Sequence, residues 1–72
     1  MDFETAAQVF FDRLLYVEDA SVPEETRDAA IGITETCMLL LVVHVHYEND
    51  TIRIISARRA TRKERRTYEN SK

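Results

Sequence analysis

Cys37-Met38-Leu39-Leu40-Leu41-Val42-Val43-His44-Val45-His46-Tyr47 is the stretch on which the fold turns. Branched aliphatic residues dominate it, and strict alternation places Leu39, Leu41, Val43, Val45 and Tyr47 on one face of a strand. The opposite face is divided: Met38, Leu40 and Val42 are apolar, whereas His44, His46 and Glu48 are polar. A strand so patterned is expected in the middle of a sheet, covered on both sides at its start and open on one side at its end, with both histidines exposed. Cys37 opens the apolar run and reads as core filling. As the single cysteine of the chain it forms no intramolecular disulfide.

The flanking segments supply the rest of a sheet. Asn49-Asp50 predicts a turn, after which Thr51 to Ala57, rich in isoleucine, returns as the second arm of a hairpin. A two-residue loop there would set Arg53 opposite His46. Upstream, Ala29 to Thr34 alternates as a strand, with Gly32 marking a bulge or a close approach by another backbone. Leu14 to Val17 reads as a short strand, and Glu18 to Arg27, with Pro23 and many carboxylates, as a solvent loop. Asp2 is placed to cap a short helix whose Phe3, Ala6, Ala7 and Phe10 share one buried face. At the other end, Thr61-Arg62-Lys63-Glu64 has the form of a capping box, opening a helix from Arg62 to about Glu69. The expectation is one α+β domain over residues 1–72: a small antiparallel sheet of about four strands with an N-terminal and a C-terminal helix.

A chain of 72 residues has room for one modest core, worth roughly 3–5 kcal/mol of net stability. The apolar run Cys37 to Val43 is far shorter than the roughly 20 residues that cross a bilayer, and the acidic start Met1-Asp2-Phe3-Glu4 is no signal peptide. A cytoplasmic protein with no membrane partner is expected. The net charge of −3 conceals a division: residues 1–50 carry −9 and residues 51–72 carry +6. A basic end on an acidic body calls for a polyanion, or for an acidic partner that covers it. The bland alternative is a solvated charged helix. Against it, Arg62 and Lys63 occupy the positive end of the helix dipole, where a helix serving structure alone prefers acids.

Arg58-Arg59-Ala60-Thr61-Arg62-Lys63-Glu64-Arg65-Arg66 runs from a strand end into that helix. Guanidinium groups at a rigid strand terminus fork onto phosphates, and the N–H groups of a helix start point at the same anion. RNA cleavage asks for a deprotonated ribose 2′-OH, stabilised charge on the phosphorane and a protonated leaving oxygen, so positioned cations supply its largest electrostatic term. Arg58 and Arg59 are the candidates for the scissile phosphate, and His46 or Tyr68 for proton transfer. Arg53, Arg62, Lys63, Arg65 and Arg66 are the candidates for the RNA backbone. Glu64 has two readings, proton carrier or capping partner, and Tyr68 likewise, proton carrier or packed ring. His44, His46 and Glu48 lie on one strand face at a spacing some zinc sites use. With no further His or second Cys to finish a shell, no metal and no cofactor is expected, and the histidines read as exposed structural residues or RNA contacts.

Ile52-Arg53-Ile54-Ile55-Ser56-Ala57-Arg58-Arg59-Ala60-Thr61, followed by Glu64-Arg65 and Tyr68-Glu69, resembles the closing signature of the BrnT family of toxins. Phe3-Glu4-x-Ala6-x-x-Val9-Phe10 resembles that family's second helix, and Arg27-x-x-Ala30-Ile31-Gly32 the start of its middle strand. The resemblance implies a fold similar to RelE ribonucleases and RNA cleavage that arrests translation, which with no metal expected reads as a metal-independent ribonuclease. It also implies a ribbon-helix-helix antitoxin as partner. Two departures stand out. The strand and helix ending in Lys-His-Gly with which family members begin are missing before Asp2, and Asp28 stands where the family usually has an aromatic residue. The shorter start leaves a second expectation, a non-catalytic toxin that binds its antitoxin and acts in operator repression. It also leads us to expect that Phe3, Phe10 and the Met38-Leu40-Val42 face lack cover, so that the chain forms a homodimer or a hetero-oligomer with the antitoxin.

Overall fold

Asp2 starts the first helix as expected: its backbone is extended and its carboxylate accepts a 2.8 Å hydrogen bond from the Thr5 N–H. The computed structural model describes residues 2–46 and 51–71, and the Asn49-Asp50 turn lies outside them. Helix α1 (Phe3–Ala7) tightens at once into a 3₁₀ turn, Gln8–Phe11, in which Val9, Phe10 and Phe11 are weak helix formers. The buried stripe is therefore Ala6 and Val9, with Phe10 partly covered. Phe3 is 65% exposed, so the expected face carrying both aromatic rings inward does not form.

Four strands follow, β1 (Tyr16–Asp19), β2 (Asp28–Ile33), β3 (Leu39–His46) and β4 (Ile52–Arg59), then helix α2 (Arg62–Asn70). They make one antiparallel sheet in the order β1-β2-β3-β4, an α+β arrangement. β1 begins two residues later than alternation suggested. The presumed loop after it continues as a hairpin arm, in which Val22 and Glu25 bond each other around Pro23-Glu24.

Alternation along β3 builds a core on each side of the sheet. Leu39 and Leu41 join Ala29, Ile31 and Tyr68 beneath α2, whereas Leu40 and Val42 join Ala6 and Val9 beneath α1 and the 3₁₀ turn. The face of Met38, Leu40 and Val42, which was expected to lack cover, is thus covered by the chain's own first helix. Gly32 explains how that helix comes so close. A Cβ added there would sit 2.9 Å from Val9 Cβ and 3.0 Å from the Val9 carbonyl oxygen. Gly32→Ala is expected to cost about 1–3 kcal/mol through overpacking, read from the urea midpoint. An unchanged midpoint would mean that the 3₁₀ turn yields freely.

Cys37 does not fill the core. It is exposed and left-handed, with φ of 65°. It closes the β2–β3 hairpin, where Cys37 N–H donates to the Thr34 carbonyl at 3.0 Å and Thr34 N–H to the Met38 carbonyl at 2.9 Å. The second departure is at the far end of β3. Pairing runs Val43 with Ser56 but His44 with Ile54, so Ile55 is an extra residue in β4, a β-bulge.

Candidate RNA interface and active site

The bulge decides which cations share a face. Arg53 and Arg58 are separated by five positions, and unbroken alternation would send them to opposite sides of the sheet. With Ile55 inserted, Arg53 pairs with Val45 rather than with His46, and Arg58 with Leu41. Both arginines therefore stand on the α2 side. Arg59 pairs with Leu40 and leaves on the opposite side, its Nη2 lying 3.5 Å from Met38 Sδ. The two arginines expected to hold one phosphate are thus divided by the pleat of the strand that carries them.

Arg58 is held by Glu64. Its Nη1 and Nη2 donate to the two carboxylate oxygens at 2.7 and 2.8 Å. Glu64 also completes the capping box, its Oε1 accepting from Thr61 N–H at 2.8 Å while its own N–H donates to Thr61 Oγ1 at 3.2 Å. One carboxylate thereby fixes the helix start and aims a guanidinium. The Arg58 fork, and then the Thr61 N–H, hold Glu64 down at about 2, so it is ionised throughout the neutral range and a poor proton carrier there. Arg62, Lys63, Arg65 and Arg66 are exposed on α2. Among the described residues none of these four enters an ion pair.

Tyr68 is 3% exposed, and its hydroxyl donates to Asp12 Oδ2 at 2.5 Å. Burial, reinforced by the Asp12 carboxylate, pushes the phenol up to about 12. The geometry favours the packed-ring reading. Asp12 was missed in the sequence, although an Asp just after an apolar helix turn is a recognisable Asx-turn residue. Its Oδ1 accepts from Leu14 N–H at 2.9 Å and its Oδ2 also from Ile33 N–H at 3.0 Å. It thus joins the end of the 3₁₀ turn, the end of β2 and helix α2.

The histidines lie elsewhere. His44 is 1% exposed, contrary to the expectation that both histidines are solvated, and its ring meets Phe10 edge-on at 4.9 Å. His46 is exposed, but it is on the α1 side of the sheet and about 20 Å along the strand from Arg59 at 3.4 Å per residue. The structure does not bring His46 to either arginine. Glu48 lies outside the described residues; Asp28, which pairs with His44 across β2 and β3, stands beside the histidines.

The strand bearing the arginines and the helix start aligned beside it are the features on which the resemblance to a toxin family rests. A sequence model of that family, described as the ribonuclease toxin BrnT of type II toxin–antitoxin systems, matches residues 1–64. The chain belongs to the BrnT family. The match covers the N-caps of both helices and the whole sheet, including Arg58, Arg59 and Glu64. No curated protein sequence matches the chain. Membership in a type II family implies an antitoxin as partner. Among the described residues no helix is long and apolar enough to cross a membrane.

Proposed function

We propose that this BrnT-family chain is an endoribonuclease that arrests translation in the cytoplasm, and that it works at the junction of β4 and α2. The observation that carries this reading is the gathering of Arg53, Arg58 and the exposed cations of α2 on one side of the sheet, with Arg58 held by Glu64. Arg58 stabilises charge on the phosphorane as the 2′-OH attacks, and Arg62, Lys63, Arg65 and Arg66 follow the RNA backbone. Arg53 extends that track along β4. Arg59, on the far side of the strand end, takes a flanking phosphate. The scheme uses no metal: solvent water takes the 2′-OH proton, and water returns a proton to the departing 5′-oxygen. A ribbon-helix-helix antitoxin with an acidic segment would neutralise the same cations.

Attack by the 2′-OH leaves a cyclic phosphate on one product and a 5′-hydroxyl on the other, so the test is end-group analysis of RNA incubated with the purified chain. RNA left intact, with an antitoxin bound, would assign the chain to operator repression instead. Binding to RNA lacking the reactive 2′-OH is expected to weaken with salt, with a log–log slope magnitude of about 0.7 per phosphate contacted. Removing Lys63 or Arg66 should lower that slope by less than about one unit each. A slope near zero would refute the RNA-grip reading.

A further inference from the structure

Asp28, His44 and His46 present three ligand atoms that all lie within 4.8 Å of one another. We propose that they form a site for a divalent first-row transition ion of the zinc class, on the sheet face opposite the arginine track.

The pleat and register build the site. His44 and His46 are two residues apart on β3 and share a face, and Asp28 is the direct cross-strand partner of His44. His44 is fixed by burial and by its Nδ1, 3.3 Å from the Val42 carbonyl oxygen. That carbonyl only accepts, so Nδ1 carries the proton and Nε2 keeps a lone pair aimed outward. A ring N–H given to a backbone carbonyl is the orienting bond that metal-bound histidines characteristically make.

The outward Nε2 lies 3.2 Å from His46 Nε2. Two ring nitrogens at this distance need a proton or a cation between them. A tetrahedral zinc with Zn–N bonds of about 2.0–2.1 Å holds its nitrogen ligands roughly 3.3–3.4 Å apart, so the pair is already at ligand spacing. Asp28 Oδ2 is 3.8 Å from His46 Nε2, and with all three ligand atoms within 4.8 Å of one another the exposed carboxylate reaches ligand spacing by a shift of up to about 1.5 Å. The side chains of His46 and Asp28 are 55% and 36% exposed, which gives the ion an access path that the buried His44 does not need.

Two imidazoles and one carboxylate select zinc, cobalt, nickel or copper over magnesium and calcium, which prefer all-oxygen shells. Three protein ligands leave one position of a tetrahedron for water. Bound there, the ion ties the start of β2 to the end of β3.

The experiment uses the untagged chain, stripped with chelator and titrated with zinc, cobalt and magnesium. One zinc per chain is expected, with a melting temperature that rises with free zinc and visible cobalt bands of tetrahedral intensity. Magnesium should do neither. His46→Ala and Asp28→Asn alter exposed ligands in a chain whose folding is checked by circular dichroism, and each should weaken zinc binding about 10–100-fold. Cys37→Ser and Arg58→Ala should leave it unchanged, which separates this site from the exposed thiol and from RNA cleavage. No zinc binding by the parent chain, undiminished affinity in His46→Ala, or binding lost with Cys37 would overturn the proposal.

Discussion

Asp12→Ala is expected to remove about 3 kcal/mol of stability, most of what a domain of this size holds in reserve. The half-buried carboxylate accepts from Leu14 N–H, Ile33 N–H and the Tyr68 hydroxyl, and a hydrogen bond to a charged acceptor contributes about 1.5–3 kcal/mol. Truncation also strands a phenol that is 3% exposed. Urea unfolding gives the loss directly, and Asp12→Asn, which keeps one acceptor oxygen but neither the charge nor the second acceptor, should cost less. Tyr68→Phe isolates one arm of the hub in a double-mutant cycle. The sign of its pH dependence follows from the phenol being raised from 10.0 to about 12: the contribution is fully present below pH 10 and disappears as pH climbs through 12. A loss under about 1 kcal/mol in Asp12→Ala would show that α2 is held mainly by its apolar face.

Local patterns in the sequence reported the elements whose causes are local. Asp2 and the Thr61–Glu64 box cap their helices because each cap needs only a side chain and a backbone group within three residues. β3 was legible because its aliphatic run is unbroken from Leu39 to Val43, as a central strand covered on both faces requires. What escaped depends on partners distant in sequence or on backbone conformation. The burial of His44 is imposed by Phe10 and by the neighbouring strands, not by its own polar surroundings in the sequence. Cys37 looked like the first residue of an apolar run, yet it takes the left-handed position that closes a hairpin, usually a glycine's place. The Ile55 bulge has no marker in Ile52-Arg53-Ile54-Ile55-Ser56, and it alone moves Arg53 from the histidine face to the Arg58 face. Asp28 stands between Arg27 and Ala29-Ala30, and only the register reveals that it stands beside His44.

Replacing both Arg58 and Arg59 with alanine is expected to abolish growth arrest on expression, and the geometry assigns most of that effect to Arg58. Removing one preorganised charge aimed at a developing oxyanion typically costs about 10²–10³ in rate, whereas Arg59→Ala alone, on the other side of the strand, should cost far less. Folding is a weak confounder. Arg58 is half exposed, and an ion pair of that kind contributes about 1 kcal/mol or less; the Thr61–Glu64 cap does not need it. Arg58→Lys keeps the charge but cannot fork onto Glu64, so it should fall between parent and alanine variant. Glu64→Gln preserves the capping box and loosens the aim of Arg58, lowering cleavage without unfolding the helix. Glu64 is held down from 4.5 to about 2, so the stability its pairing provides is complete above pH 4.5 and is lost as pH falls through 2. Neither Glu64 nor Tyr68 then titrates near neutrality, and the cleavage rate should show no inflection from either. An inflection that vanishes in His46→Ala would return a proton-carrying role to that residue, and a double arginine variant that remains fully toxic would remove the β4–α2 junction from the chemistry altogether.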